Sequence, residues 1–417
     1  MKEKIDTVVV GAGQAGLAVS YYLSQRGREH LVLERSRVAE RWRTQRWDSL
    51  MFQFPNWSIE LPGCVYSGSN PDGFSHKDQV LAFIEDYALR IKAPVRIAVE
   101  VLSLRPASHP HRYLLSTNIG DFEARNVVIA TGPYQRPRVP AFAKGLPDDV
   151  LQLHASDYRN PGELPPGGVL VVGSGASGCQ ISEELLAAGR PTFFAIGRHR
   201  RVPRRYRGRD VFWWRRTLGY LDQKTEETPI DKREPPPLVT GVGGGHDVDI
   251  RSYAQDGMTL LGHVRQINGG RLSIAGDVER SLLAGDRTFN DFTSAVDEYV
   301  RRSGLDLAPA PISTAPTTAP EVVTEIDIRS ANIRSVVWAT GYALDFRWIE
   351  LPIFDRSGEP IQCRGVTSAP GIYFLGLAWM HKAKSSFLYG VGEDAEHLAA
   401  RICEVPAAAE TVAPPSP

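Results

Sequence analysis

Residues 5–16 read Ile5-Asp6-Thr7-Val8-Val9-Val10-Gly11-Ala12-Gly13-Gln14-Ala15-Gly16. The run up to Val10 is short, apolar and rich in β-branched residues, as a strand buried on both faces requires. It enters a glycine-rich turn, and residues 17–26 continue with helical apolar spacing until Gly27. A second short strand, residues 30–33, closes on Glu34. A strand-turn-helix-strand unit of about thirty residues belongs in a parallel sheet. Gly11 permits a tight turn, Gly13 lets the backbone approach a pyrophosphate, and Gly16 allows close helix–sheet packing. The helix N-terminus offers unbonded N–H groups to phosphates. Glu34 stands eighteen residues after Gly16, where a carboxylate accepts ribose hydroxyls. The unit is expected to bind a dinucleotide through Gly11, Gly13, Gln14, Ala15, Gly16 and Glu34; the competing reading is a glycine turn that serves packing alone.

The pattern returns once. Residues 169–172 form a strand, Gly173-Ser174-Gly175-Ala176-Ser177-Gly178 the turn, residues 179–188 a helix, and residues 192–196 the next strand. Gly173, Ser174, Gly175, Ser177 and Gly178 are the expected second cradle. Where the first unit has Glu34, the second has Arg198, twenty residues after Gly178. A carboxylate there would repel a 2′-phosphate, whereas a guanidinium binds it in a fork, so this cradle is assigned to NADPH. Arg200 and Arg201 join Arg198 in the expected set. Seven arginines lie within residues 198–209, and a solvated face or a patch for an acidic partner competes with cofactor binding, most of all for Arg204 to Arg209.

Val127-Val128-Ile129-Ala130-Thr131-Gly132 and Val336-Val337-Trp338-Ala339-Thr340-Gly341 are near-copies, each a buried strand ending in Ala-Thr-Gly. They bracket the second unit, as an inserted domain predicts. The expected fold is α/β with two Rossmann-like dinucleotide-binding domains. Residues 1–134 and 321–404 form the FAD domain, residues 135–320 the inserted NADPH domain, and 405–417 a disordered tail. FAD in the first cradle is argued from the far end of the chain. There Gly390-Val391-Gly392-Glu393-Asp394 opens a second helix whose N-terminus suits the electron-rich edge of a reduced flavin. Asp394 is open between that role and a helix cap.

Composition narrows the remaining classes. The chain has 417 residues with 48 basic and 48 acidic side chains, so no whole-molecule field attracts a polyanion, and nucleic-acid binding is not expected. Four scattered cysteines, without a Cys-x-x-Cys pair, exclude a redox dithiol and a cysteine-based zinc site; no metal is expected. No apolar run fits a signal sequence or membrane span, so a cytoplasmic protein is expected.

Two glycine motifs, paired Ala-Thr-Gly strands and no redox cysteine pair together resemble the class B flavin-containing monooxygenases. The likeness is closest to a bacterial branch described as flavoproteins involved in potassium transport, which is similar to the plant indole-pyruvate monooxygenases. Further matching stretches are Arg41-Trp42, Trp47-Asp48-Ser49-Leu50, Leu61-Pro62-Gly63, Pro71-Asp72-Gly73-Phe74 and His154-Ala155-Ser156-Asp157-Tyr158. The resemblance adds Arg35, Arg41, Trp42, Thr131, Gly132, Ala339, Thr340, Gly341 and His381 to the cofactor-binding set. It places Asn56, as the candidate catalytic amide, near the flavin; a turn role after Pro55 competes. Trp42 and Trp47 also fit core positions, and His381 fits a loop-ordering role. The activity implied is NADPH-dependent insertion of one oxygen atom from O2 into a small organic substrate through a C4a-hydroperoxyflavin. The incomplete match to the family's central fingerprint favours N- or S-oxygenation or oxidative decarboxylation over Baeyer–Villiger insertion. The alternatives are a flavin-dependent NADPH oxidase or reductase without oxygen insertion, and a non-catalytic nucleotide sensor. A homodimer is left open.

Overall fold

The computed structural model describes residues 2–108, 112–230, 233, 236–310 and 320–404. The expected tail at 405–417 and most of the return segment near 308–320 lie outside the described residues. Strand Glu3–Val10 is an inner strand of a nine-stranded mixed sheet. It pairs in parallel with His30–Leu33 on one side and Gly120–Ile129 on the other, with Val9 opposite Val32 and Val128. Ile372–Phe374 adds a further parallel strand beside Gly120–Ile129. The apolar run identified at residues 5–10 is buried because helix Gln14–Gln25 and helix Val391–Glu404 pack together on one face. The other face is filled by Leu104, Leu115, Phe346 and Ile349.

The second sheet has five parallel strands in the order Leu151–His154, Ile333–Trp338, Gly168–Val172, Thr192–Ala195 and Thr259–Leu261. Its glycine turn opens helix Ala176–Ala187. The return boundary expected at residue 321 is corrected by this pairing. Ile333–Trp338 sits between Leu151–His154 and Gly168–Val172, and Glu325–Asp327 pairs with Arg271–Ile274, so the first sheet is rejoined only beyond Trp338. The second Ala-Thr-Gly strand therefore belongs to the second sheet. Its likeness to the first copy reflects the same place in each sheet, beside the glycine turn.

That place is sterically demanding. A methyl group on Gly16 would stand 1.9 Å from Gly11 O, and one on Gly178 would stand 1.8 Å from Gly173 O. Backbone cannot yield as a flexible side chain does, so Gly16→Ala or Gly178→Ala is expected to destabilise its unit by about 3 kcal/mol. Urea unfolding measures this; a Gly16→Ala protein as stable as the parent contradicts the helix–turn contact.

Candidate functional site

At the first turn Gly11 adopts φ +107°, and its N–H donates to Leu33 O at 2.8 Å. The Glu34 carboxylate is held by two backbone donors, Ala12 N–H to Oε2 and Ser36 N–H to Oε1, each at 2.9 Å. Each oxygen keeps further acceptor capacity for a hydroxyl. Helix Gln14–Gln25 begins at Gly13 with no side chain capping its first turn, and a methyl on Gly13 would meet nothing within 4 Å. Open space thus faces unbonded helix N–H groups. Gln14 Nε2 donates to Ser386 O at 2.7 Å, and a methyl on Gly376 would stand 2.6 Å from Ala15 Cβ, so the C-terminal loop presses on the same turn.

Beside this cradle lies a crowd of guanidinium groups. Burial, then repulsion from Arg35 and Arg46, pushes the Arg41 guanidinium down to about 10, and its buried Nη1 has no hydrogen-bond partner among the described residues. A buried cation with an unmet donor fits an anionic group such as a pyrophosphate. Arg35 is exposed. Arg46 lies 5.3 Å from the half-buried Trp42 ring and 5.4 Å from Tyr134. Tyr134 packs edge-on to Tyr342, which in turn meets the His154 ring at 4.8 Å. His154 is fixed by Gly341 O on Nε2 and Ser156 Oγ on Nδ1, each at 3.0 Å. Gln135 Nε2 donates to Thr131 Oγ1 and Gly132 O, while Thr340 Oγ1 donates to Arg138 O. These rings and turns bring Trp42, Thr131, Gly132, Ala339, Thr340 and Gly341 to the seam between the two sheets.

On the C-terminal side His381 Nδ1 lies 3.5 Å from Asp394 Oδ1 at the start of helix Val391–Glu404. Burial raises the Asp394 carboxyl above the usual carboxylate range and lowers the His381 imidazole. Next to them, Lys382 and Lys384 both pair with Asp222 and Glu393, at 2.5–3.0 Å. This four-charge clamp fastens a loop of the second unit to the C-terminal loop. Sequence reasoning missed it: Lys382-x-Lys384 ahead of an acidic helix start hints at Glu393, but nothing local points to Asp222.

Asn56, open in the sequence between an amide near the flavin and a turn role, has its amide engaged within its own loop. Its Nδ2 donates to Asn70 O at 2.9 Å and to Tyr66 OH at 3.4 Å, and its Oδ1 accepts from Ser75 Oγ at 2.7 Å. Both donors are engaged, and the residue ties its own loop together, as its position after Pro55 allows.

The second cradle repeats the first. Gly173 adopts φ +111°, Gly175 begins helix Ala176–Ala187 without a side-chain cap, and a methyl on Gly175 would meet open space. Ser177 is half-buried in the first turn. Ser174 Oγ donates to Gly197 O at 3.0 Å and accepts from Gly197 N–H at 2.9 Å, joining the turn to the end of strand Thr192–Ala195. Arg198 follows, exposed and without an ion pair among the described residues. Arg201 is a correction. It is buried, pairs with Asp249 at 2.8 Å and Asp286 at 3.3 Å, and stacks 4.5 Å from Phe289, so it has no fork to offer a cofactor. Arg200 is half-buried, and its carbonyl accepts from Leu238 N–H. Arg204 and Arg207 pair with Asp210 and Asp297.

The arrangement is shared with known proteins. An uncharacterised CzcO-like oxidoreductase of Geobacillus kaustophilus is 34% identical over 404 residues, covering 95% of this chain and 98% of that protein. The chain belongs to the CzcO-like oxidoreductase family. The profile of the pyridine nucleotide-disulphide oxidoreductases matches residues 8–204. The indole-3-pyruvate monooxygenase YUCCA1 of Oryza sativa is 32% identical over 208 residues, 49% of this chain and 51% of that one. A double mutant of the flavin monooxygenase from Stenotrophomonas maltophilia shares the fold, with TM-score 0.65 at 19% identity over 96% of this chain and 99% of that one. This family member thus shares the two-dinucleotide-domain fold of the flavin monooxygenases. No helix among the described residues is long and apolar enough to cross a membrane, and no described cluster of histidine, cysteine and carboxylates forms a metal site.

Burial lowers the imidazoles of His154 and His199, which flank the second cradle. An unfolded imidazole titrates near pH ~6.5, so just below that the unfolded chain binds more protons than the folded one. This contribution to stability is complete above that pH and is lost as pH falls toward the folded values. Urea midpoints at pH about 7.5 and 5.5 measure it; the parent is expected to be less stable at the lower pH, and His154→Gln to shrink the difference. An identical pH dependence in both proteins contradicts a buried neutral His154.

Proposed function

We propose that this chain is an FAD- and NADPH-dependent monooxygenase acting on a small organic molecule. The observation that carries the reading is the contrast between two open helix N-termini, one beside the held carboxylate of Glu34 and one beside the exposed guanidinium of Arg198. In this reading the turn from Gly11 to Gly16 and the unmet Arg41 donor hold the FAD pyrophosphate, and Glu34 takes its ribose. Gly173 to Gly178 hold the NADPH pyrophosphate and Arg198 takes the 2′-phosphate. A bound flavin supplies hydride acceptance and the passage of electrons to dioxygen.

The chain's own residues position and dry the site. Phe387 follows Ser386, whose carbonyl Gln14 holds, and its ring lies 5.2 Å from Phe54. Phe54 meets Phe212 at 4.5 Å, and Phe212 meets Trp57 and Tyr389 at 5.4 and 5.9 Å. This wall draws on the first unit, helix Val211–Thr217 of the second and the C-terminal loop. In our reading it excludes water between the two cradles. The name of the YUCCA1 relative supports oxygen transfer as the reaction class.

Reduction by NADPH in the presence of isotopically labelled dioxygen and a panel of amines, sulfides and 2-oxo acids tests the proposal. Label is expected in one product; hydrogen peroxide alone across the panel would favour the oxidase reading, and a flavin that NADPH fails to reduce would favour the sensor. A charge-assisted contact contributes about 1.5–3 kcal/mol. Arg198→Ala is therefore expected to raise the KM for NADPH about 10- to 150-fold with little change for NADH; equal effects contradict its role. Arg41→Ala is expected to weaken FAD retention by a similar factor, read from flavin absorbance after gel filtration.

A further inference from the structure

We propose that His263 is a second reader of the cofactor's 2′-phosphate, acting beside Arg198; the inference rests on the NADPH reading above. Strands Gly168–Val172, Thr192–Ala195 and Thr259–Leu261 run parallel as neighbours, so their carboxyl ends stand side by side, and ligands of such sheets bind beyond those ends. Arg198 lies just past the middle strand, and His263 is two residues past the third. The two are brought together at Gly197: a methyl there would stand 2.8 Å from His263 Nε2. The ring is laid against the backbone immediately before Arg198. Gly197 is the residue that Ser174 of the glycine turn grips through both its N–H and its carbonyl. One short chain of contacts therefore links the pyrophosphate turn to the imidazole.

The ring is aimed from behind. Asp277 Oδ2 lies 2.8 Å from His263 Nδ1, and Asp277 Oδ1 accepts from the His263 N–H at 3.1 Å. Arg280 Nη2 reaches the same carboxylate at 2.9 Å. A methyl on Gly262 would stand 2.5 Å from Asp277 Oδ1, so only a bare residue lets the carboxylate come this close. With Nδ1 turned to Asp277, Nε2 is the ring nitrogen left to face the Gly197 turn, and the His263 side chain is 56% exposed. In a doubly protonated ring Nδ1–H donates to Asp277 and Nε2–H is free to donate to a phosphate oxygen. The acidic group thus serves as a positioning residue, while Arg198 and His263 present donors from adjacent strand ends.

Calorimetric titration with 2′,5′-ADP and 5′-AMP isolates the 2′-phosphate, since the two probes differ by that group alone. The parent protein is expected to prefer 2′,5′-ADP. His263→Ala is expected to cut that preference about tenfold while 5′-AMP affinity stays within about twofold, and Asp277→Asn to give a smaller loss of the same kind. If His263→Ala keeps the full preference while Arg198→Ala abolishes it, His263 forms only a surface ion pair and the inference fails with the NADPH reading intact. If the parent shows no preference between the probes, the NADPH reading fails and this inference with it.

Discussion

The close approach of a helix to its own turn, through Gly16 over Gly11 O and Gly178 over Gly173 O, is the constraint on which both cradles depend. It forces the first helical N–H groups to the carboxyl edge of the sheet, where no side chain caps them. A second approach completes each turn from the opposite side. A methyl on Gly11 would stand 2.7 Å from Ala130 O, and one on Gly173 would stand 2.5 Å from Ala339 O. Each glycine turn is therefore gripped between its helix and the end of an Ala-Thr-Gly strand. In the second unit the helix also comes near the strand's side chain, since a methyl on Gly178 would stand 3.2 Å from Ala339 Cβ.

The seam between the units uses two different kinds of interaction. Near Tyr134 and Tyr342 it is aromatic and cationic, with Arg46 stacked between Trp42 and Tyr134. Near His381 it is ionic, with two lysines and two carboxylates that cancel in charge. Lys384 is nearly buried, so its pairing matters more than that of an exposed lysine, because removing one partner would leave a charge in a poorly hydrated place. The aromatic wall at Phe54, Phe212 and Tyr389 lies between these anchors in the chain of contacts, and both units must stay docked for it to exist.

Both cradles were legible in the sequence because local sterics write them: a turn that permits only bare residues, an apolar strand before it and a periodic helix after it. The positions of Glu34 and Arg198 just past the second strand of each unit were legible for the same reason, since their distance from the turn is set by the length of one helix and one strand. The placement of Ile333–Trp338 was not. Its pattern matches Gly120–Ile129, and only non-local pairing decides which sheet receives it. Asn56 shows another limit. Its residue type suits either a free amide or a loop tie, and the decisive partners, Asn70 and Ser75, lie fourteen and nineteen residues away.

The arginine run shows why counting charges misleads and pairing them does not. Arg201, Arg204 and Arg207 look interchangeable with Arg198 in the sequence, yet each meets an aspartate: Asp249 and Asp286, Asp210, and Asp297. Those pairs explain how a dense cationic stretch coexists with zero net charge, and they keep the inner guanidiniums from competing for a mobile anion. Arg204 goes further: at 2% exposed it lies over Phe74 at 4.3 Å and donates to Gln53 O, so it joins the second unit to a loop of the first. Arg198, Arg205 and Arg209 stay exposed, and of these three Arg198 is the one that follows directly on strand Thr192–Ala195 and its Gly197 turn. The fold thus neutralises the three arginines that it draws inward and leaves Arg198, at the strand end, facing solvent.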